Sequence, residues 1–323
     1  MFVKERKTPL IVREIDAILN RIPLTHSKRS ILEENRTNYM KGFRGEKQID
    51  YYLEELKASD YLIFADLRLI SNTNRAFQMD TLLISPYFFL IIESKHIAGT
   101  LIFEKDSTQM IRELDGIKQG FTNPIVQVAR HKVKLIDWLT KHKIPKVPIE
   151  DLVGIADRRT LIVTTHDNKQ IYQKLIYADV ILQKIRQFES IFTEKILTNR
   201  QIQQIKKLLL KSHTPVSPTI LKKYNINPTE LKKGIQCPEC GQFHMTRETQ
   251  NWYCAICKTY NRNAHIKAVE EYFLIFATEI SNKQFREFVL LCSRNISKKL
   301  LLRMNLPTTG ANKNRLYHRP PDF

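Results

Sequence analysis

The chain has 323 residues, 42% of them apolar, with 52 Lys and Arg against 33 Asp and Glu, a formal net charge of +19. That length allows two or three domains with ordinary cores, and the cationic excess points to a polyanionic partner such as nucleic acid or an anionic membrane. The start, MFVKERKTPL, has charges where a secretory signal needs an apolar core, and no apolar run approaches the ~20 residues that span a bilayer; the expectation is a soluble cytoplasmic protein with no membrane partner.

In chain order, residues 1–35 form an N-terminal extension whose Ile11, Ile15, Ile18 and Leu19 share one side of a short helix, followed by a basic loop around THSKRS. Residues 36–212 read as an α/β core. GFRGEKQIDYYLEEL, from Gly42, predicts a helix with Ile49, Leu53 and Leu56 inward. A strand at DYLIFADLRL follows, then a hairpin over QMDTLLISPYFFLIIESK, then the strand TLIFEK. NPIVQVARHKVKLIDWLTKH predicts a helix with Pro124 in its first turn and Val128, Leu135 and Leu139 inward. TLIVTT (160–165) adds a strand, and helices near 179–193 and 198–211 close this half. The two prolines of KSHTPVSPTI mark 213–234 as a linker. A cysteine-rich unit (235–260) and a helical, basic unit (261–323) complete the chain.

The hairpin poses the chemical question, because it carries Asp80, Glu93 and Lys95 in very apolar company, where charge is expensive to bury. Set as antiparallel strands around SPYF, it pairs Ile84 with Phe89 and therefore Asp80 with Glu93, with Cβ atoms within about 5 Å. Lys95 projects from the same face because side chains alternate along a strand. Crowded carboxylates in a partly apolar site call for a hard divalent cation, Mg²⁺ or Mn²⁺. Asp80 and Glu93 would hold it, and Lys95 would stabilise charge on a phosphorane in phosphodiester hydrolysis. Glu46 is placed to offer a third carboxylate, and Gln127 to position water or phosphate. Taken singly, an E-x-K at a strand end is usually a solvated terminus; the whole combination is much rarer than its parts.

The order of GFRGEK (Gly42, Gly45, Glu46), QMD (Gln78 to Asp80), ESKHIAGTL (Glu93, Lys95, Gly99) and NPIVQ (Asn123, Pro124, Gln127) resembles the nuclease-related domain, or NERD, family over roughly residues 38–145. The resemblance implies a PD-(D/E)xK, restriction-endonuclease-like fold, a mixed sheet flanked by helices. It implies a catalytic role for Asp80, Glu93 and Lys95 and an auxiliary one for Glu46.

CPECGQFHMTRETQNWYCAIC supplies Cys237, Cys240, Cys254 and Cys257 as two C-x-x-C knuckles, the spacing of a structural Zn²⁺ ribbon. With four thiolates filling the shell, His244 is left out. Cys292, among apolar neighbours, reads as a buried small hydrophobe. Beyond the knuckles three helices are expected, the last two in helix-turn-helix proportion with Ser281 as a cap. Arg294, Asn295, Lys298, Lys299 and Arg303 would face outward, and Lys313, Arg315 and Arg319 would continue the charge into a basic arm with Tyr317. No carboxylate occurs from Val289 through Pro321. Arg294, Lys298, Lys299, Arg303, Lys313 and Arg315 are the expected nucleic-acid contacts, and the zinc segment with its helical tail is similar to those of some bacterial NERD proteins.

The combined expectation is a Mg²⁺- or Mn²⁺-dependent nuclease acting on nucleic acid, DNA foremost, brought to it by a C-terminal zinc-stabilised module. The alternatives are a non-catalytic DNA clamp on a nuclease fold and a protein-interaction adapter.

Overall fold

The computed structural model describes residues 1–56, 61–104, 107–164, 169–320 and 323, with the backbone alone at Lys169 and Gln170. Asp60, Lys105 and Thr165, which the sequence pattern places at strand ends, lie outside the described residues. The chain divides into two compact units, one of Met1–Lys7 and Met40–Thr214, the other of Thr8–Tyr39 and Pro215–Phe323. The first 35 residues are thus shared between the units.

The elements begin with β1 (Phe2–Lys4), α1 (Leu10–Arg21) and α2 (Arg29–Leu53), and α2 enters the first unit at Met40. The first unit continues with β2 (Leu62–Ile70), β3 (Ala76–Ile84), β4 (Phe89–Lys95), β5 (Thr100–Phe103), β6 (Gln109–Leu114) and β7 (Ile117–Thr122). Then come α3 (Pro124–Lys141), β8 (Ile149–Ile155), β9 (Leu161–Thr164), α4 (Lys169–Lys174), β10 (Leu175–Tyr177), α5 (Ile181–Ile191) and α6 (Asn199–Ser212). Six strands make a mixed sheet in the order β1-β2-β3-β4-β8-β10, antiparallel only at the β2–β3 and β3–β4 steps. A smaller sheet, β7-β6-β5-β9, stands beside it in the chain.

Both faces of the six-stranded sheet are covered, which is why β4 is apolar on both sides rather than alternating. Phe89 and Ile91 join a core with Val128 and Leu135 of α3 and Ile205 and Leu209 of α6. Leu90 and Ile92 join another with Ile49 and Leu53 of α2 and Ile181 and Ile185 of α5. Asn123 caps α3 by accepting from the Ile125 N–H, with Pro124 at the first helical position, where its missing N–H costs nothing. In the β3–β4 turn the Ser85 hydroxyl oxygen accepts from the Tyr87 and Phe88 N–H groups. Strand β8, parallel to β4 from Phe89↔Ile149 to Lys95↔Ile155, has no counterpart in the sequence reading. Its run IEDLVGI hides its period behind Glu150 and Asp151, and Asp151 is buried because Lys132 and Lys174 pair with it.

The alternation of β2 and β3 breaks at one shared level. Phe64 and Leu67 face the same core, as do Met79 and Leu82, although odd and even residues should part. The β2–β3 ladder steps from Ala65↔Thr81 to Leu67↔Met79 without a pair at Asp66 and Asp80, and Asp66 has φ 51°, the left-handed region. A matched irregularity in both strands therefore sits where two aspartates lie side by side.

In the second unit, α1 packs Ile15 and Ile18 against Ile220 of α7 (Ile220–Tyr224) and Leu274 of α8 (Ala264–Ile275). Strands β11 (Met245–Glu248), β12 (Asn251–Cys254) and β13 (Tyr260–Asn261) form a three-stranded ribbon. After α8 follow β14 (Glu279–Ser281), α9 (Asn282–Val289), α10 (Arg294–Arg303), β15 (Thr308–Thr309) and β16 (Leu316–His318). Ser281 caps α9 in a reciprocal capping box with Gln284, and Ser293 caps α10. Two expectations are corrected here. The basic tail is no free arm: β16 inserts between β14 and β15, and Tyr317 is buried. Cys292 is exposed, not buried, because α9 ends at the left-handed Leu290 and Leu291 takes the inward position. Among the described residues no helix is long and apolar enough to cross a membrane.

Candidate active site and metal centre

The β3–β4 ladder runs from Ile84↔Phe89 to Thr81↔Ile92, the register read from the sequence, so the next level sets Asp80 beside Glu93. Asp80 Oδ2 accepts the Ser94 N–H at 2.9 Å, which ties the carboxylate to β4. Glu93 follows Phe89 and Ile91 on the face under α3, and its side chain is 3% exposed. Lys95, two residues on, donates from Nζ to Glu93 Oε1 at 2.7 Å and to Gln127 Oε1 at 3.2 Å. The Gln127 amide nitrogen donates to Glu93 Oε1 in turn. Asp80, Glu93, Lys95 and Gln127 are thus brought together, from two strands and the first turns of α3.

The other oxygen, Glu93 Oε2, is buried without a hydrogen-bond partner among the described residues. Its neighbour is His131 Nδ1 at 3.6 Å, which is equally unpartnered. His131 follows Gln127 by one turn on the same helical face, a spacing that would have revealed it in the sequence. Burial, then the charge of Asp80, pushes the Glu93 carboxyl up to about 7 against the opposing pull of Lys95. Burial likewise lowers the His131 imidazole below its ordinary value.

Glu46 comes from α2, and Gly45 beside it explains how. A Cβ on Gly45 would meet His96 Cβ at 2.6 Å and Ala156 Cβ at 3.3 Å, so only glycine lets the helix lie this close to the ends of β4 and β8. Glu46 does not complete a ligand sphere with Asp80 and Glu93. Its Oε2 accepts from Arg6 Nη1 at 2.8 Å, and the same nitrogen donates to Asp66 Oδ1 at 2.9 Å. Arg6 also grips Asp50 through Nε and Nη2, and Nη2 reaches Thr81 Oγ1. Burial, then Asp80, raises the Glu46 carboxyl to about 8, with Arg6 opposing. Burial raises Asp66 as well. For Arg6, burial favours loss of the proton, yet the surrounding carboxylates overcome it and hold the guanidinium charged.

Arg6 is the residue that sequence reading missed, since in MFVKERKTPL it looks like one more surface charge. Asp66 left a fainter signal, a lone acid within the apolar strand LIFADLRLI. Around Asp80, the carboxyls of Glu46, Asp66 and Glu93 are pushed toward protonation by burial and by the charge of Asp80. Such a site can take up a hard cation in exchange for protons. The unpartnered Glu93 Oε2 beside Asp80 fits that use, as a two-carboxylate arrangement.

The four knuckle cysteines are a separate centre in the second unit. The Sγ atoms of Cys237, Cys240, Cys254 and Cys257 all lie within 4.8 Å of one another, and among the described residues they are the group of three or more metal-ligating side chains. Cys237 and Cys257 sulfurs are 3.5 Å apart and Cys240 and Cys254 sulfurs 3.6 Å. A tetrahedron with metal–sulfur bonds of about 2.3 Å has edges of about 3.8 Å, so the set fits a metal ion. His244 is exposed and outside the group. Met245↔Cys254 pairing in the β11–β12 hairpin delivers the second knuckle to the first.

On the C-terminal unit, Arg294, Asn295, Lys298, Lys299 and Arg303 of α10 are exposed, as is Lys313, while Arg315 is half-buried. They share a chain segment, not a catalytic cluster. A search of curated proteins returns no match. The model of the family described as nuclease-related domain, NERD, matches residues 41–156, which span α2 from its middle through β8 and hold Glu46, Asp80, Glu93, Lys95 and Gln127, so this part of the chain is a nuclease-related domain.

Proposed function

We propose that the protein is a metal-dependent nuclease that hydrolyses phosphodiester bonds of nucleic acid, with DNA as the preferred substrate. Residues 36–212 would be the nuclease domain, and the zinc ribbon (235–260) with the helical unit (261–323), together with the preceding segment that packs through Ile220, Ile226 and Leu231, the nucleic-acid-binding module. The observation that carries this reading is the convergence of Asp80, Glu93 and Lys95 with Glu93 Oε2 buried and unpartnered. Asp80 and Glu93 would hold Mg²⁺ or Mn²⁺. A bound ion of this kind polarises a phosphoryl oxygen and lowers the pKa of water.

The residues divide the remaining work. Lys95 is fixed by Glu93 and Gln127, so its ammonium is oriented before substrate arrives and can meet charge that develops on the phosphorane. Gln127, engaged at both ends of its amide, acts by holding Glu93 and Lys95 rather than water. His131, kept neutral by burial, stands beside Glu93 as a proton acceptor for water near that carboxylate. Arg6 restrains Glu46 as an auxiliary group. A non-catalytic clamp fits less well, because the carboxylates of Glu46, Asp66, Asp80 and Glu93, gathered here, repel phosphate unless a cation is present.

In the second unit, Zn²⁺ on Cys237, Cys240, Cys254 and Cys257 would hold the ribbon, and Arg294, Lys298, Lys299, Arg303, Lys313 and Arg315 would contact phosphates. Thiolate ligation in place of disulfides suits the reducing cytoplasm. The test is incubation of the purified chain with plasmid, linear and single-stranded DNA and with RNA in Mg²⁺ or Mn²⁺, beside Lys95→Ala. Cleavage by the native chain, abolished by chelation and by Lys95→Ala, is expected; cleavage that Lys95→Ala retains in full sinks the assignment.

A further inference from the structure

Arg247, half-buried on the zinc-bearing ribbon, is poorly satisfied. Its Nε and Nη1 are buried, and neither has a hydrogen-bond partner among the described residues. The side chain is held in place by apolar means: it lies on β11 directly across from Trp252 on β12, and its guanidinium carbon sits 5.2 Å from the Trp252 ring centroid. Trp252 is itself buried, with its indole N–H donated to His265 Nδ1.

Two more guanidiniums crowd the same place. Arg247, Arg262 and Arg303 line one small cavity of about 60 Å³ together with His265 and Asn263, and among the described residues no carboxylate contributes to its wall. Like charges and burial both work against keeping Arg247 protonated, burial the more, then Arg303 and Arg262. The same field reaches His265, where burial, then Arg247 and Arg303, pushes the imidazole down to about 4. His265 is therefore neutral, and because Nδ1 accepts from Trp252 its proton resides on Nε2, a donor. The Asn263 side chain makes no cap bond at the start of α8. The three guanidiniums and His265 Nε2 are donors and the Asn263 amide can donate too, and a cavity of this size has room for one tetrahedral oxyanion.

We propose that Arg247, Arg262 and Arg303 form a socket for one phosphate group of a nucleic-acid strand. This rests on the nucleic-acid reading of the module and deepens it. Unlike the exposed lysines of α10, whose charge is solvated, the socket presents two desolvated N–H donors whose unmet bonding an oxyanion satisfies. Arg303 lies on α10, so the phosphate would be gripped between that helix and the zinc-bearing ribbon, and the ribbon would take part in binding directly.

The test uses the full zinc-loaded chain without added Mg²⁺ or Mn²⁺, so that nothing is cleaved, and a fluorescent single-stranded oligonucleotide followed by anisotropy across a salt series. Arg262→Gln and Arg303→Gln alter exposed residues, and Arg247→Met keeps the apolar stem on Trp252. Each is expected to weaken binding about fivefold to tenfold near 0.1 M salt and to lower the slope of log affinity against log salt by about one. Melting temperature and zinc content show whether each variant is folded, and the two exposed sites keep the test alive if Arg247→Met is not. Unchanged affinity and slope in Arg262→Gln and Arg303→Gln would overturn the socket. Calorimetric binding of inorganic phosphate, lost in both variants while oligonucleotide binding is untouched, would make it a site for free phosphate and overturn the strand assignment. A chain that binds through the socket yet cuts nothing leaves the socket standing and removes the nuclease reading; the reverse separates them equally.

Discussion

Arg6 Nη2 donates to the main-chain carbonyl of Asp80 at 2.8 Å, at the level where the β2–β3 ladder has no pair. The guanidinium therefore holds a kink in β3 from one side and the acidic residues Glu46, Asp50 and Asp66 from the other. Its side chain is 1% exposed, so removing it strands several charges in a dry site. Arg6→Met is expected to lose about 3–5 kcal/mol of stability in urea unfolding near neutral pH. Arg6→Lys should recover only part, since an ammonium lacks the planar fork that reaches these acceptors at once. A loss under about 1 kcal/mol, the range of an exposed pair, would show that the hub is not what fixes Asp80.

What the sequence made legible is what periodicity and short range determine. The hairpin register followed from Pro86 in a four-residue turn and a constant sum of partner numbers, and it alone brought Asp80 to Glu93. The cysteine knuckles were readable because their spacing is the geometry. Arg6 was not, since its partners are separated from it by 40 to 75 positions and no local pattern encodes such a contact. Strand β8 escaped because Glu150 and Asp151 are made tolerable by Lys132 and Lys174, which tertiary structure supplies. The fate of Cys292 turned on a single left-handed residue, Leu290, that composition does not forecast.

Gly45 and Gly154 offer a paired test of how α2 delivers Glu46. A Cβ at Gly154 would meet Ile49 Cδ1 at 2.6 Å, the far end of a flexible side chain, whereas at Gly45 it would meet the Cβ atoms of His96 and Ala156, which cannot move without the backbone. Gly→Ala within a helix ordinarily stabilises by about 1 kcal/mol. At Gly45 the sign is expected to reverse, to a loss of about 1–3 kcal/mol, with a fall in any cleavage activity as Glu46 moves. Gly154→Ala should cost less in both respects. Equal or stabilising effects at Gly45 would mean that the close approach is not required.

Metal removal should act on the second unit selectively. Cys237 and Cys254 are buried within the same core as Trp252 and Met245, so the ribbon has little apolar substance without its ion. Chelation, or Cys240→Ser, is expected to expose Trp252 and shift its emission to the red in a Trp138→Phe background, where it is the remaining tryptophan of the two. The far-ultraviolet signal of the first unit's sheet should persist. Tryptophan emission that is indifferent to chelation would remove the structural role assigned to the cysteines.

The acidic site makes a prediction about pH that does not depend on turnover. Glu93 and Glu46 are held up at about 7 and about 8 by burial and by Asp80, above the about 4.3 of a glutamate in an unfolded chain. Between those limits the folded protein keeps protons that the unfolded chain has released. Metal-free stability is therefore greatest below about pH 4.3, as far as these two groups decide it, and falls as pH rises through about 7 and 8. A divalent cation needs the ionised carboxylates, so it competes with those protons. Mg²⁺ or Mn²⁺ at about ten times its Kd near pH 8 should restore about 1.4 kcal/mol, and at the same concentration near pH 5.5 almost none. Glu93→Gln removes both a titrating group and a ligand oxygen, and is expected to make the metal-free pH profile shallower, leaving the part due to Glu46, and to abolish the metal-induced gain. Thermal unfolding with and without cation across this pH range measures both, and a gain independent of pH, or retained by Glu93→Gln, would place the ion elsewhere.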